Sequence, residues 1–95
     1  MKGGWTYMMA DRYRGTIYTG VTASLPARVV QHRDDPKGFV ARYGLTRLVL
    51  AEWHDDIDAA IAREKALKKW RREWKIRLIE EQNPDWLDRF EDINT

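Results

Sequence analysis

Residues 16–33 read Thr-Ile-Tyr-Thr-Gly-Val-Thr-Ala-Ser-Leu-Pro-Ala-Arg-Val-Val-Gln-His-Arg. Thr16 to Val21 is rich in β-branched residues and Tyr, which suit a pleated strand. Ser24 is a good helix N-cap, and Pro26 is tolerated in a first helical turn. A strand should therefore pass almost directly into a helix running to about Arg33. At about 100° per residue, Arg28 and His32 fall within roughly 60° of Leu25, on the stripe that should face a sheet. They are also four residues apart, hence neighbours on the helix surface. A guanidinium aimed at a core is costly unless it is paired or put to use.

Reading outward, residues 5–10 (Trp-Thr-Tyr-Met-Met-Ala) alternate weakly and predict a first strand. Asp11 to Gly15 makes a polar turn, so the first two strands form a hairpin. Asp34-Asp35-Pro36-Lys37-Gly38 breaks the chain after the helix. A third strand is expected over about Leu45–Trp53. Asp55 or Asp56 should cap a helix beginning near Ile57. Helical sequence then continues to about Gln82, with a break near Trp70, and Asn83-Pro84 ends it. The expected class is α+β: a small three-stranded antiparallel sheet flanked by helices, in the order β-β-α-β-α-α.

On the later helix Ile57, Ala60, Ile61 and Leu67 share an inward face, and Glu64 falls in its middle. One reading is a buried Arg28–Glu64 salt bridge with His32 packed in the core. The other is a site at the sheet edge. There Glu64 would hold a hard divalent cation, Arg28 would bind a phosphate oxygen, and His32 would donate or shuttle a proton. One carboxylate is adequate for Mg²⁺, which keeps most of its waters and takes further oxygens from phosphate. Tyr7 and Tyr18 lie on adjacent strands, either as packing or as phenols beside that phosphate. Gly20 either permits close backbone approach or marks a bulge. Core packing is the expected role of Trp70 and Trp74, four residues apart.

Length and composition bound the alternatives. Ninety-five residues, 43% hydrophobic and 34% charged, predict one globular domain. Without cysteine there is no disulfide scaffold, Cys-ligated zinc or thiol nucleophile. No apolar run approaches the ~18–20 residues of a membrane span, so a cytoplasmic protein with no membrane partner is expected. The net charge is +2 but uneven: +1 over residues 1–62, +6 over 63–77 and −5 over 78–95. The basic segment is either a solvated helix face or an attractor of phosphate.

The ordered set of these residues resembles the GIY-YIG nuclease superfamily. The first signature strand reads Trp5-Thr6-Tyr7, keeping only its Tyr; the second reads Tyr18-Thr19-Gly20, keeping the outer Tyr and Gly. Arg28, His32 and Glu64 match the family's helix Arg, the following His and the metal-binding Glu, and Asn83 could match a late Asn. The chain is most similar to the small single-domain bacterial members. Their pattern Tyr-x-Gly-Val-Thr, Arg-Glu-Lys-x-Leu-Lys-Lys-Trp-x-Arg and Asn-Pro-x-Trp stands at 18–22, 63–72 and 83–86.

The resemblance covers about residues 5–88, as one domain within 1–95. It implies a Mg²⁺- or Mn²⁺-dependent endonuclease of low sequence specificity, with DNA expected over RNA. Carried over by position, Tyr7 is the general base, Tyr18 orients water or phosphate, and Arg28 stabilises the scissile phosphate. His32 joins the hydrogen-bond network and Glu64 ligates the metal. Affinity would come from Lys65, Lys68, Lys69, Arg71, Arg72 and Lys75. A nucleic-acid-binding module without catalysis, or one that needs a partner, is the alternative, and a protein-interaction domain is a third.

Overall fold

The first strand, β1 (Gly4–Ala10), is hydrogen-bonded on both sides: to β2 (Ile17–Thr22) and to β3 (Arg47–His54), each antiparallel, in the order β2-β1-β3. The computed structural model describes residues 3–34 and 43–93. The helices are α1 (Leu25–Asp34), α2 (Ile57–Lys68), α3 (Arg72–Gln82) and the short α4 (Phe90–Ile93). The expected α+β class and element order hold, with α4 added. The expected break over 34–38 lies, beyond Asp34, outside the described residues.

The sheet is covered on both faces. Tyr7 and Met9 point to one face and pack with Leu25, Val29, Leu45, Leu48 and Phe90. Met8 and Ala10 point to the other and pack with Val49, Leu50, Leu67, Ile79 and Trp86. This explains the weak alternation of residues 5–10, because a strand buried on both faces reads as a continuous apolar run. Helices α1 and α4 lie on the first face, α2 and α3 on the second.

Local chemistry fixes the helices. Asp56 caps α2, its side chain accepting from the Asp58 amide. The Thr6 hydroxyl donates to the Ala60 carbonyl at 2.8 Å, tying α2 to the central strand. Lys69 and Trp70 close the end of α2 onto the carbonyls of Ala66 and Leu67, and Arg71 is extended before α3 restarts. That is the expected break near Trp70.

The β1–β2 turn is clamped to α3. Arg72 donates to the Gly15 carbonyl at 2.6 Å, and Arg14 makes a two-pronged bond to Glu80 at 2.7 and 2.8 Å. Glu80 also accepts from the indole of Trp86, which is fully buried although its φ is +58°. A left-handed backbone at Trp is costly and persists only where its surroundings hold it. Asn83 supplies much of that hold. Its amide nitrogen donates to the carbonyls of Val49 (3.1 Å) and Leu87 (2.8 Å), its oxygen accepts from the Leu87 amide, and its own carbonyl accepts from the Trp86 amide.

The segment after this loop covers the outer edge of β3. The Arg89 amide donates to the Leu48 carbonyl, and Asp88 accepts from the Leu48 amide while holding Arg33 at 2.6 Å. Phe90 thereby joins the core. Among the described residues no helix is long and apolar enough to cross a membrane.

Asn83→Ala strands two carbonyls and one amide in or near the core. A loss of about 2 kcal/mol is expected, seen as a fall of roughly 10 °C in a thermal melt. A fall under about 2 °C would show that the 83–87 loop is held by packing alone.

Candidate active site

Tyr7 faces Gly20 across the β1–β2 pair, and Tyr18 is Gly20's neighbour two residues away on the same face. The missing side chain at Gly20 makes the space that the Tyr7 ring occupies. A Cβ there would sit 2.6 Å from the Tyr7 hydroxyl and 2.9 Å from the Tyr18 ring. Of the two readings of Gly20, close approach is the one observed; the sheet's irregularity lies elsewhere, between Met8 and Met9 in the β1–β3 pairing.

The Tyr7 oxygen is 2.7 Å from Nε2 of His32. The Tyr7 and Tyr18 rings lie 6.2 Å apart, and the His32 ring is 5.5 Å from Tyr18. So α1 turns its His32 face onto the sheet, as its stripe predicts, with Leu25 and Val29 fully buried beside it.

Burial pushes the Tyr7 phenol well above its usual range. Tyr18 adds to the rise, the charge of Arg28 opposes it, and the carboxylate of Glu64 adds a smaller push. Both charges therefore act on the same hydroxyl. Among the described residues no ion pair joins Arg28 to Glu64. Glu64 is paired instead with Lys68, one turn along α2, at 2.9 Å. The buried Arg28–Glu64 salt bridge, one of the two readings of these residues, is not formed.

The Glu64 side chain is only 13% exposed and holds one exposed-side partner. Among the described residues no three His, Asp or Glu side chains gather into a cage. A lone carboxylate does not suit zinc, but it fits Mg²⁺ or Mn²⁺, which keep several waters and draw other ligands from a substrate phosphate.

The other expected residues divide. Lys65, Lys69 and Arg71 are exposed, and Lys68 is held by Glu64. Arg72 is committed to the β1–β2 turn, and Lys75 is half-buried, its ammonium driven below its usual range by burial and then by Arg72. Asn83 spends its amide on the loop that supports Trp86. Core packing holds for Trp70, which packs against the Met8–Trp86 cluster, and is corrected for Trp74. Trp70 is half-buried, Trp74 is 47% exposed, and the two meet edge-to-face at 6.1 Å. Their four-residue spacing misleads because Trp70 lies in the break between α2 and α3, so no single helix carries both. Sequence reasoning also missed Arg63, which grips Glu52 with two bonds and lies over the Trp70 ring at 5.1 Å. Its position next to Glu64 was the available signal.

A family model for the GIY-YIG catalytic domain matches residues 3–77. UPF0213 proteins of Staphylococcus aureus strains Mu3, Mu50 and N315 are each 35% identical over 72 residues, which is 72% of this chain and 84% of each relative. No solved structure matches the chain.

The raised Tyr7 phenol can be titrated. Because burial favours its neutral form, it should stay protonated beyond the ordinary phenol range near pH 10. In an alkaline absorbance titration, Tyr7→Phe should leave the phenolate signal that develops up to about pH 11 unchanged and remove a later component. Loss of signal below pH 10 in that variant would mean that Tyr7 is not shielded.

Proposed function

This chain belongs to the GIY-YIG family, and on that premise we propose that it is a divalent-metal-dependent endonuclease of low sequence specificity. The family's nuclease-type fold implies a nucleic-acid substrate, which we take to be DNA before RNA. One observation carries the reading: the Tyr7 hydroxyl, packed against the bare backbone of Gly20 and beside Tyr18, is set against Nε2 of His32. The catalytic unit is a single domain of about residues 5–88.

Hydrolysis needs an activated water, charge compensation on the non-bridging oxygens and an in-line leaving group. Glu64 would hold Mg²⁺ or Mn²⁺, which supplies Lewis-acid stabilisation of the phosphate when bound. Arg28 binds a non-bridging oxygen and stabilises the charge that grows there. Tyr18 orients the attacking water. Tyr7 accepts the water's proton while its own passes to Nε2 of neutral His32, protonated on Nδ1. The new P–O bond forms from water, the bond to the sugar oxygen breaks, and that oxygen takes a proton from solvent. A phenol whose pKa is raised is a poor base alone, so the His32 contact is what lets Tyr7 work at neutral pH.

Glu64→Gln keeps the shape and removes the charge. It should abolish cleavage of a labelled oligonucleotide while leaving binding largely intact. Arg28→Ala, with no ion pair to lose among the described residues, should shift the melting temperature by less than about 5 °C and also abolish cleavage. Unchanged cleavage in either variant removes that residue from the mechanism. Binding with no cleavage by the unaltered protein, at any Mg²⁺ or Mn²⁺ concentration, would leave a binding module.

The salt dependence should isolate the free part of the basic segment. Changing Lys65 and Lys69 to Ala should weaken binding to all sequences alike and flatten log K against log salt by roughly one unit per lost contact. An unaltered slope would make the segment a solvated face only.

A further inference from the structure

Helix α3 carries two stripes. Ile76, Leu78 and Ile79 pack toward the core. Trp74, Arg77 and Glu81 form a second stripe at i, i+3 and i+7, and with the outer sides of Leu78 and Trp70, both of which also pack against the core, they line a groove of about 230 Å³ on the outside of the molecule. An exposed tryptophan on a helix whose core face is already filled has no packing task. From this groove we infer that Trp70 and Trp74 form a stacking shelf for unpaired bases, so that the chain engages single-stranded segments of its nucleic-acid substrate. The inference rests on the nucleic-acid reading above and adds to it a substrate class.

Three observations favour a nucleic-acid strand over an apolar partner. The shelf is aromatic and its rings already hold cations: Arg63 lies 5.1 Å over Trp70 and Arg71 lies 5.5 Å over Trp74. Arg77 lines the same groove, and residues 63–77 carry a net charge of +6. A ligand that suits this surface has planar rings and regularly spaced negative charge. An apolar helix would bury the Arg77 and Arg71 guanidinium groups against a surface that brings them no further negative charge.

The shelf also differs in kind from the rest of the basic segment. Arg63 is fixed by its two bonds to Glu52 and so backs the Trp70 ring rigidly. Arg71 is exposed, with only the exposed Glu73 beside it at 3.7 Å, so it can leave the Trp74 face to a base and turn to a phosphate. Glu81 at the groove's end can accept a hydrogen bond from a base amino group. Bases inside a duplex are stacked on one another and offer only their edges, whereas unpaired bases offer their faces. Glu64 lies on the last two turns of α2, and Trp70 follows directly in the break after that helix.

The test uses the full chain without divalent metal, so that binding is read apart from cleavage. Fluorescence anisotropy is measured with a labelled mixed-sequence single strand, its blunt duplex, and the same single strand carrying abasic positions. The unaltered protein should bind the single strand about tenfold or more tighter than both other probes. Trp74→Ala should weaken single-strand binding about tenfold and leave duplex binding within about threefold, and Trp74→Phe should restore most of the loss. Circular dichroism confirms that the variants are folded. Equal binding to abasic and base-bearing strands, or equal small losses on all probes in Trp74→Ala, would overturn the shelf while leaving the nuclease reading intact. A dimer that dissolves in Trp74→Ala would assign the groove to a second copy instead and likewise overturn it. Absence of binding to every probe would overturn the nucleic-acid reading itself, and the shelf with it.

Discussion

A hydroxyl on a strand with both faces covered must find a hydrogen-bond partner, and at Tyr7 this requirement organises one side of the molecule. Tyr7 is 1% exposed and its ring lies over bare backbone at Gly20. Its oxygen reaches Nε2 of His32 at 2.7 Å, so the rotation of α1 about its axis is set by that contact together with Leu25 and Val29. Once α1 is so placed, Arg28 is brought to the same region four residues before His32. A buried phenol left without a partner costs more than an ordinary hydrogen bond returns, so the contact constrains the fold as well as the chemistry.

The opposite face of the sheet is held by a different device. There the chain doubles back through Asn83 and Trp86, and the β1–β2 turn is gripped from α3 by Arg72 and by the Arg14–Glu80–Trp86 set. These contacts use two of the basic groups that lie closest to the turn. The surface that faces a polyanion is therefore smaller than the run of lysines and arginines suggests, and it is concentrated on α2 and around the break before α3. Charge in a sequence marks candidates for phosphate contact; hydrogen bonds to backbone carbonyls decide which of them are already in use.

Much of the architecture was legible because it depends on local rules. Strand composition at 16–21, a cap at Asp55 or Asp56 (Asp56 in the structure), the break at Trp70 and the stop at Asn83-Pro84 each act within a few residues, and each stands where those rules put it. The short α4 was not legible. It exists because Asp88 and Arg89 bind the outer edge of β3 at Leu48, a contact across 40 residues of chain.

The candidate site divides in the same way. Helical and strand periodicity put Arg28 and His32 on one inward stripe, Glu64 on another, and Tyr7 and Tyr18 on one hairpin, because side-chain direction follows backbone period. Whether Arg28 and Glu64 neutralise each other depended on distances between elements, and the tertiary structure gave Glu64 to Lys68 instead. Periodicity failed at Trp74 because the helix breaks between it and the core-packed Trp70, so equal spacing no longer means a shared face. The sequence by itself determined the residue types and the face each takes within its own element. Only the packing of elements decided which phenol is buried against a glycine, which arginines remain free and which tryptophan meets solvent, since each of those outcomes depends on atoms far apart in the chain.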